Sequence, residues 1–147
     1  MSDSRRTLLS AVAAISGIYD ILVGLALLLA RGLIAQVFEV PLPVPPIHAD
    51  LNALFVLAIG VGYVLPYRDP DRYRGYLWMM GPILKGAGAL AFVADRVVRH
   101  SPDSFLLFAA GDGTLAAVTL WALLKTRVPS RPGDAAGETR TREARQP

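Results

Sequence analysis

The sequence predicts an all-α fold, an integral membrane four-helix bundle with antiparallel up-down connectivity, and three observations lead to it. The 147-residue chain is 53% hydrophobic, more apolar than a soluble domain of that size requires. Its apolar residues fall in long runs and do not alternate as barrel strands would. There are four such runs, at roughly 8–30, 48–66, 73–97 and 103–125, and about 20 residues suffice to cross the hydrocarbon core as a helix.

Residues 1–7 precede the first run and read as a cytoplasmic N-terminus. Ser4-Arg5-Arg6-Thr7-Leu8-Leu9 has the outline of a twin-arginine export signal, with Ala11-Val12-Ala13 in place of a cleavage site. No apolar region fits between the arginines and that site, and the apolar run continues to Ala30. Arg5 and Arg6 are therefore read as topology signals.

The segment Arg31 to Pro46 carries Leu33, Ile34, Val37, Phe38 and Val40 and is too apolar to be wholly solvated. It is expected to lie on the outer interface or to cover the bundle. Pro41, Pro43, Pro45 and Pro46 exclude helix before the second run, and Pro66 is expected to close that run. Asp69-Pro70-Asp71 reads as an N-cap, a proline at the first helical position and an acid in the first turn of the third helix. Ser101-Pro102-Asp103 repeats the device before the fourth, which makes the last two helices a tight hairpin. Residues 8–127 form the transmembrane domain; 128–147, rich in Pro, Gly, Arg and Glu, reads as a disordered cytoplasmic tail.

The basic residues orient the bundle. Arg5, Arg6, Arg68, Arg72, Arg74, Lys125, Arg127, Arg131, Arg140, Arg142 and Arg145 fall on one side, against Arg31, Arg96 and Arg99 on the other. The positive-inside rule then places both termini in the cytoplasm. Tyr63, Tyr67, Tyr73, Tyr76, Trp78 and Trp121 fall near the same inner face, where an aromatic belt is expected.

A net charge of +3 and a pI near 9.6 do not indicate nucleic acid, because the arginines sit in short clusters between apolar runs with no basic face of interleaved aromatics. The lipid bilayer is the partner the sequence implies. The absence of cysteine excludes disulfides, thiol nucleophiles and cysteine metal sites. There is no Glu-x-x-His pair for a di-iron bundle, no nucleophile elbow and no phosphate loop. Gly86-Ala87-Gly88 lies mid-helix with no strand before it, so it is no dinucleotide fingerprint. No cofactor and no catalytic residue are predicted.

What remains is one ionisable residue per span: Asp20, Asp50, Lys85 and Asp112. Charge at membrane depth costs a few kcal/mol and normally faces the bundle interior, paired. At about 1.5 Å rise per residue from the inner end of each span, Asp20 stands roughly 20 Å up, Lys85 about 14 Å, Asp112 about 18 Å and Asp50 about 22 Å. The first three are placed to meet. Asp20 shares a helical stripe with Ala13, Ser16, Gly17 and Gly24; Lys85 with Gly81, Pro82, Gly88 and Ala89; Asp112 with Ala109 and Ala116. Small residues are what close packing of membrane helices uses.

Tyr19, Asp50 and Asn52 are secondary candidates for the polar site. Asp50 also suits the first turn of the second helix, where an acid is stabilised by the helix dipole. His48 and His100, the only histidines, could with Asp50 form a shallow outer metal site. The Asp20, Lys85 and Asp112 group admits two uses. It can lock helix order and register without binding anything. Alternatively, the second acid leaves an excess negative charge for a proton or cationic ligand, as in a binding or transport protein. An intramembrane enzyme with an acid and Lys85 as acid and base is a third reading.

The layout resembles that of the DoxX-like group of small four-helix bacterial membrane proteins. The likeness is carried by Gly-Ile-Tyr-Asp at 17–20, Gly62-Tyr63 late in the second span, Arg-Asp-Pro at 68–70 and a mid-span lysine, over about residues 8–125. It implies a bacterial inner-membrane location and a role often unassigned or accessory to a larger enzyme or redox system. With the interior charges holding the fold together, the leading reading is an accessory or assembly subunit or a homo-oligomer. It transfers no catalytic residue to a numbered position.

Overall fold

The computed structural model describes residues 3–126, so the predicted tail at 128–147 and the five arginines from Arg127 onward lie outside the described residues. Helix α1 spans Asp3–Leu29 and α2 Arg31–Val37; α3 (Ile47–Gly62) and α4 (Val64–Arg68) form the second span. The third span is α5 (Arg74–Trp78), a π-helical segment Met79–Lys85 and α6 (Gly86–Arg99). A 3₁₀ turn, Asp103–Phe105, leads into α7 (Leu106–Lys125). The spans Asp3–Leu29, Ile47–Arg68, Arg74–Arg99 and Asp103–Lys125 are each long and apolar enough to cross a bilayer. Together they make an all-α, four-helix membrane bundle.

The surface has the character that a lipid solvent selects. On α1, Leu9, Val12, Ala13, Ser16, Gly17, Asp20 and Gly24 are buried, while Ile15, Ile18, Leu22 and Leu29 on the opposite side are exposed. A helix that is apolar all round, with its small and polar residues inward, belongs in hydrocarbon. Phe55, Val61, Leu90, Val97, Val98 and Leu107 continue the apolar exterior around the other spans.

Helix α1 is the hub, packing along α3 and α4 on one side and against α7 on the other, and α6 pairs with α7. The α1–α3 contact is close because a glycine of each helix receives a large residue of the other, Gly24 meeting Leu57 and Gly60 meeting Ile21. A Cβ on Gly60 would stand 2.8 Å from the Ile21 backbone nitrogen and 3.0 Å from the Gly17 carbonyl oxygen. One on Gly24 would stand 2.9 Å from the Leu57 nitrogen. Toward the end carrying the N-terminus, the interior closes on Leu9, Val12, Ala13, Tyr63, Leu77, Ala122 and Leu123. This end is called the terminal end below, and the opposite one the loop end.

The punctuation residues act differently from the sequence expectation. Pro66 does not close the second span: the helix breaks earlier, at Tyr63, and resumes as α4 through Arg68. Pro66 has no N–H for the Gly62 carbonyl, so the break falls where the ladder is already incomplete. Asp69-Pro70-Asp71 does not start the third helix. Asp69 Oδ1 accepts from the Arg72 N–H (3.2 Å) and holds a turn, and α5 begins at Arg74.

Ser101 likewise caps nothing; its hydroxyl donates back to the Asp95 carboxylate, while Asp103 pairs with Arg96. His100 ends α6 in the left-handed region at φ 57°. Both acids have stronger partners than a helix N–H, namely the arginines that end α6. The aromatic belt also divides. Tyr67 and Trp121 are exposed, but Tyr63 is buried and meets Tyr76 edge-on at 5.2 Å, with the Tyr76 hydroxyl donating to the Ile59 carbonyl oxygen (2.7 Å). These two tyrosines belong to the core. Arg74 is drawn inward too, donating to the Leu123 carbonyl and the Thr126 hydroxyl at the end of α7, where carbonyls lack helical partners.

The α1–α3 crossing sets a test. Gly60→Ala is expected to lower stability by about 1–3 kcal/mol, because backbone atoms of Ile21 and Gly17 occupy the space together with the Ile21 side chain. Gly75→Ala, which meets nothing within 4 Å, is expected to be neutral or stabilising by up to about 1 kcal/mol. Thermal unfolding in detergent measures both.

Candidate functional site: a buried charge cluster under an aromatic cavity

Asp20 on α1, Lys85 at the end of the π segment and Asp112 on α7 converge in the middle of the bundle. The Lys85 ammonium donates to Asp20 Oδ1 and lies 3.3 Å from Asp112 Oδ1. It also sits 4.8 Å from the centre of the Tyr19 ring, a separation at which an aromatic face attracts a cation. The Asp20 and Lys85 side chains are 6% and 7% exposed, against 21% for Asp112. Asp20 is thus the inner counter-ion, and Asp112 faces open space.

Local chemistry delivers each group. The α1 stripe of Ala13, Ser16, Gly17, Asp20 and Gly24 is wholly buried, and Ala109 and Ala116 are buried on the Asp112 face. In the third span the buried residues are Leu77, Gly81 and Lys85, a spacing of four. That spacing suits the wide π turn. Pro82 lies within it; its ring crowds a preceding carbonyl and it offers no N–H, and a widened turn relieves that conflict. No residue of α6 beyond Lys85 is fully buried.

From the cluster to the loop end the bundle frames a half-open cavity of about 590 Å³. All five phenylalanines of the chain line it: Phe38, Phe55, Phe92, Phe105 and Phe108. Phe38 stacks on Phe108 at 4.7 Å, and Phe92 on Phe108 at 5.5 Å and on Phe105 at 6.0 Å. Phe38 comes from the segment after α2, which covers the loop end and is pinned there by Ser104 donating to the Phe38 carbonyl (3.1 Å). Tyr19, Asp20, Lys85 and Asp112 form the polar end of the same cavity.

The cavity also reaches the side of the bundle. The second and third spans pack where α4 meets α5, at the terminal end. Farther along, Phe55 of α3 and Leu84 of the third span line the cavity while remaining 67% and 44% exposed. That wall faces the hydrocarbon.

The secondary candidates separate. Tyr19 joins the cluster, and Asn52 lines the cavity on α3. Asp50 stays apart, in the first turn of α3, with the Arg31 guanidinium 3.1 Å away. His48 and His100 are exposed, and among the described residues no group of three potential ligands is gathered for a metal. The outer metal site is therefore not formed: His100 is committed to ending α6, and Asp50 to Arg31. Sequence reasoning missed the cavity. Its only local trace is Phe105 and Phe108, three apart and so on one helical face.

No family model matches the sequence, and neither a curated protein nor a solved structure is significantly similar to it. Fold and site alone define the class: a multi-pass membrane protein with a charge cluster buried among its four spans.

Removing one partner of a buried pair leaves the other charge uncompensated. Lys85→Met is therefore expected to cost about 3–5 kcal/mol, and Lys85→Met with Asp20→Asn to regain most of that loss. Asp112→Asn, at the more open position, is expected to cost less than either single change at the inner pair. Unfolding midpoints of the purified variants in one detergent provide the comparison.

Proposed function

We propose that this chain is a membrane-embedded binding protein for a small amphiphile, whose polar head meets Asp112 and whose apolar body lies among the phenylalanines. The observation that carries the reading is that a cavity of about 590 Å³ ends on the buried charges. A cluster needed only to hold helices together has no use for a cavity above it. Volumes of this order are typical of small-molecule sites, which are mostly apolar with a few polar groups to orient the guest.

The charges favour a cationic head. Two carboxylates and one ammonium leave a deficit of one positive charge, and the ammonium is already shared with Asp20. The exposed wall at Phe55 and Leu84 supports entry from the bilayer, where an amphiphile is concentrated and needs no aqueous route. The basic residues on the terminal end support cytoplasmic termini, and the DoxX-like layout supports a bacterial inner membrane. In that setting the protein stores, presents or passes on its guest, alone or as an oligomer.

A second reading, an accessory or assembly subunit whose cluster is only a register lock, is favoured by the direct contact of Lys85 with both acids. The two readings separate on head-group dependence. In phosphatidylcholine nanodiscs, dodecylamine is expected to raise the unfolding midpoint of the protein, dodecanol to raise it less and dodecanoate not at all. Asp112→Asn is expected to remove the advantage of the amine. Equal effects of the three heads, indifferent to Asp112→Asn, would leave the register lock as the function of the cluster.

A further inference from the structure

Gly88 is the only glycine in the lining of the cavity, and the fold gives no reason for a glycine there. It lies inside α6 without a positive φ, and a glycine in a helix interior is destabilising relative to alanine. Close packing does not require it either. A Cβ on Gly81 would stand 2.5 Å from the Thr119 Cγ2, and one on Gly60 would run into Ile21. Beyond its own helix and chain neighbours, a Cβ on Gly88 would meet a single atom within 4 Å, Asp112 Oδ2 at 3.6 Å.

Gly88 and Asp112 thus face each other across the third and fourth spans, between two filled levels. Toward the terminal end Gly81 receives Thr119. Toward the loop end Phe92 and Phe108, each about one turn from Gly88 or Asp112, hold their rings 5.5 Å apart. The space of the absent side chain opens on the carboxylate from the α6 side. Its other approaches are taken. The Lys85 ammonium lies 3.3 Å from Oδ1, and the Tyr19 hydroxyl lies beside the same carboxylate, 2.7 Å from where a Cβ on Gly111 would stand. A carboxylate offers about four lone-pair sites, so these two donors leave capacity at Asp112.

We propose that Gly88 is the specificity-determining residue of the cavity: it admits the guest's head to Asp112, and the head admitted is an ammonium that carries N–H, as in a primary amine. This deepens the amphiphile reading and rests on it. The ammonium donates to Asp112 Oδ2 from the space beside Gly88, and the apolar chain continues past Phe92 and Phe108. A quaternary ammonium has no N–H, and its alkyl groups hold the nitrogen beyond hydrogen-bond reach of Oδ2. Such heads are recognised by cages of aromatic faces, and Tyr19, the aromatic residue of the cluster, already faces Lys85.

Graded filling of the space tests this in phosphatidylcholine nanodiscs. Without guest, Gly88→Ala is expected to leave the unfolding midpoint unchanged or raise it, since the added methyl group meets only ordinary contact. With guest, the same variant is expected to weaken dodecylamine binding about tenfold, the scale of one charge-assisted hydrogen bond, and Gly88→Leu to weaken it further. Gly86→Ala, two residues away and outside the lining, is expected to leave the amine response intact. A variant that is no less stable yet binds the amine less well has lost recognition and kept its fold.

The failures are distinguishable. If dodecylamine has no advantage over dodecanol in the unsubstituted protein, the amphiphile reading falls and takes this inference with it. If the advantage is present and is removed by Asp112→Asn, but survives both Gly88→Ala and Gly88→Leu, the reading stands and the role of Gly88 is overturned. Dodecyltrimethylammonium tests the head group on the unsubstituted protein, whether or not the variants fold. It is expected to raise the midpoint no more than dodecanol does, and a rise equal to that of dodecylamine would overturn the N–H contact to Asp112.

Discussion

The contact between the Lys85 ammonium and Asp20 Oδ1 is the constraint around which the rest of the bundle is arranged. Hydrocarbon offers neither charge a substitute for hydration, so each must find the other, and the helices that carry them must hold their depth and rotation. For α1 this means presenting Asp20 inward along a stripe of small residues, which brings it close to α3 at Gly17, Gly24 and Gly60. The third span needs a turn wide enough to place Leu77, Gly81 and Lys85 on one line, and the π segment around Pro82 provides it.

The cluster divides the molecule into two unlike halves. On the terminal side, Leu9, Leu77 and Leu123 close over the inward-turned Tyr63 and Tyr76, and Arg74 ties the start of the third span to the end of α7. On the loop side, α6 contributes no fully buried residue, and the phenylalanines line the space without filling it. The rigidity of the first half suits a foundation. The openness of the second, with its wall toward lipid at Phe55 and Leu84, suits a compartment for a guest that is itself lipid-like.

The two acids are not equivalent, and the difference comes from position. Both line the cavity, but the Asp20 side chain is 6% exposed and the Asp112 side chain, between Gly111 and Gly113, is 21% exposed. Like charges placed so near one ammonium create a local surplus, and the more exposed acid is where a counter-charge is most easily accepted. In the binding role proposed for this chain, structural lock and binding site are adjacent roles of one cluster, divided between its acids.

Much of this was legible in the sequence because hydrocarbon is an unforgiving solvent: it demands long apolar helices, and it makes one acid or lysine per span conspicuous. The four spans, the inward stripe Ala13, Ser16, Gly17, Asp20, Gly24 and the meeting of Asp20, Lys85 and Asp112 follow from hydropathy, helical period and rise alone. The turns were legible only as interruptions, since what Pro66, Asp69 and Ser101 bond to depends on neighbours such as Arg72 and Asp95 brought round by the local fold. Tertiary structure alone decided that Tyr63 and Tyr76 turn inward, that Asp50 takes Arg31, and that five phenylalanines from four separate segments surround one cavity. A periodic pattern records which face of a helix avoids lipid, but a cavity is the space left when several such faces fail to meet, and no single segment encodes it.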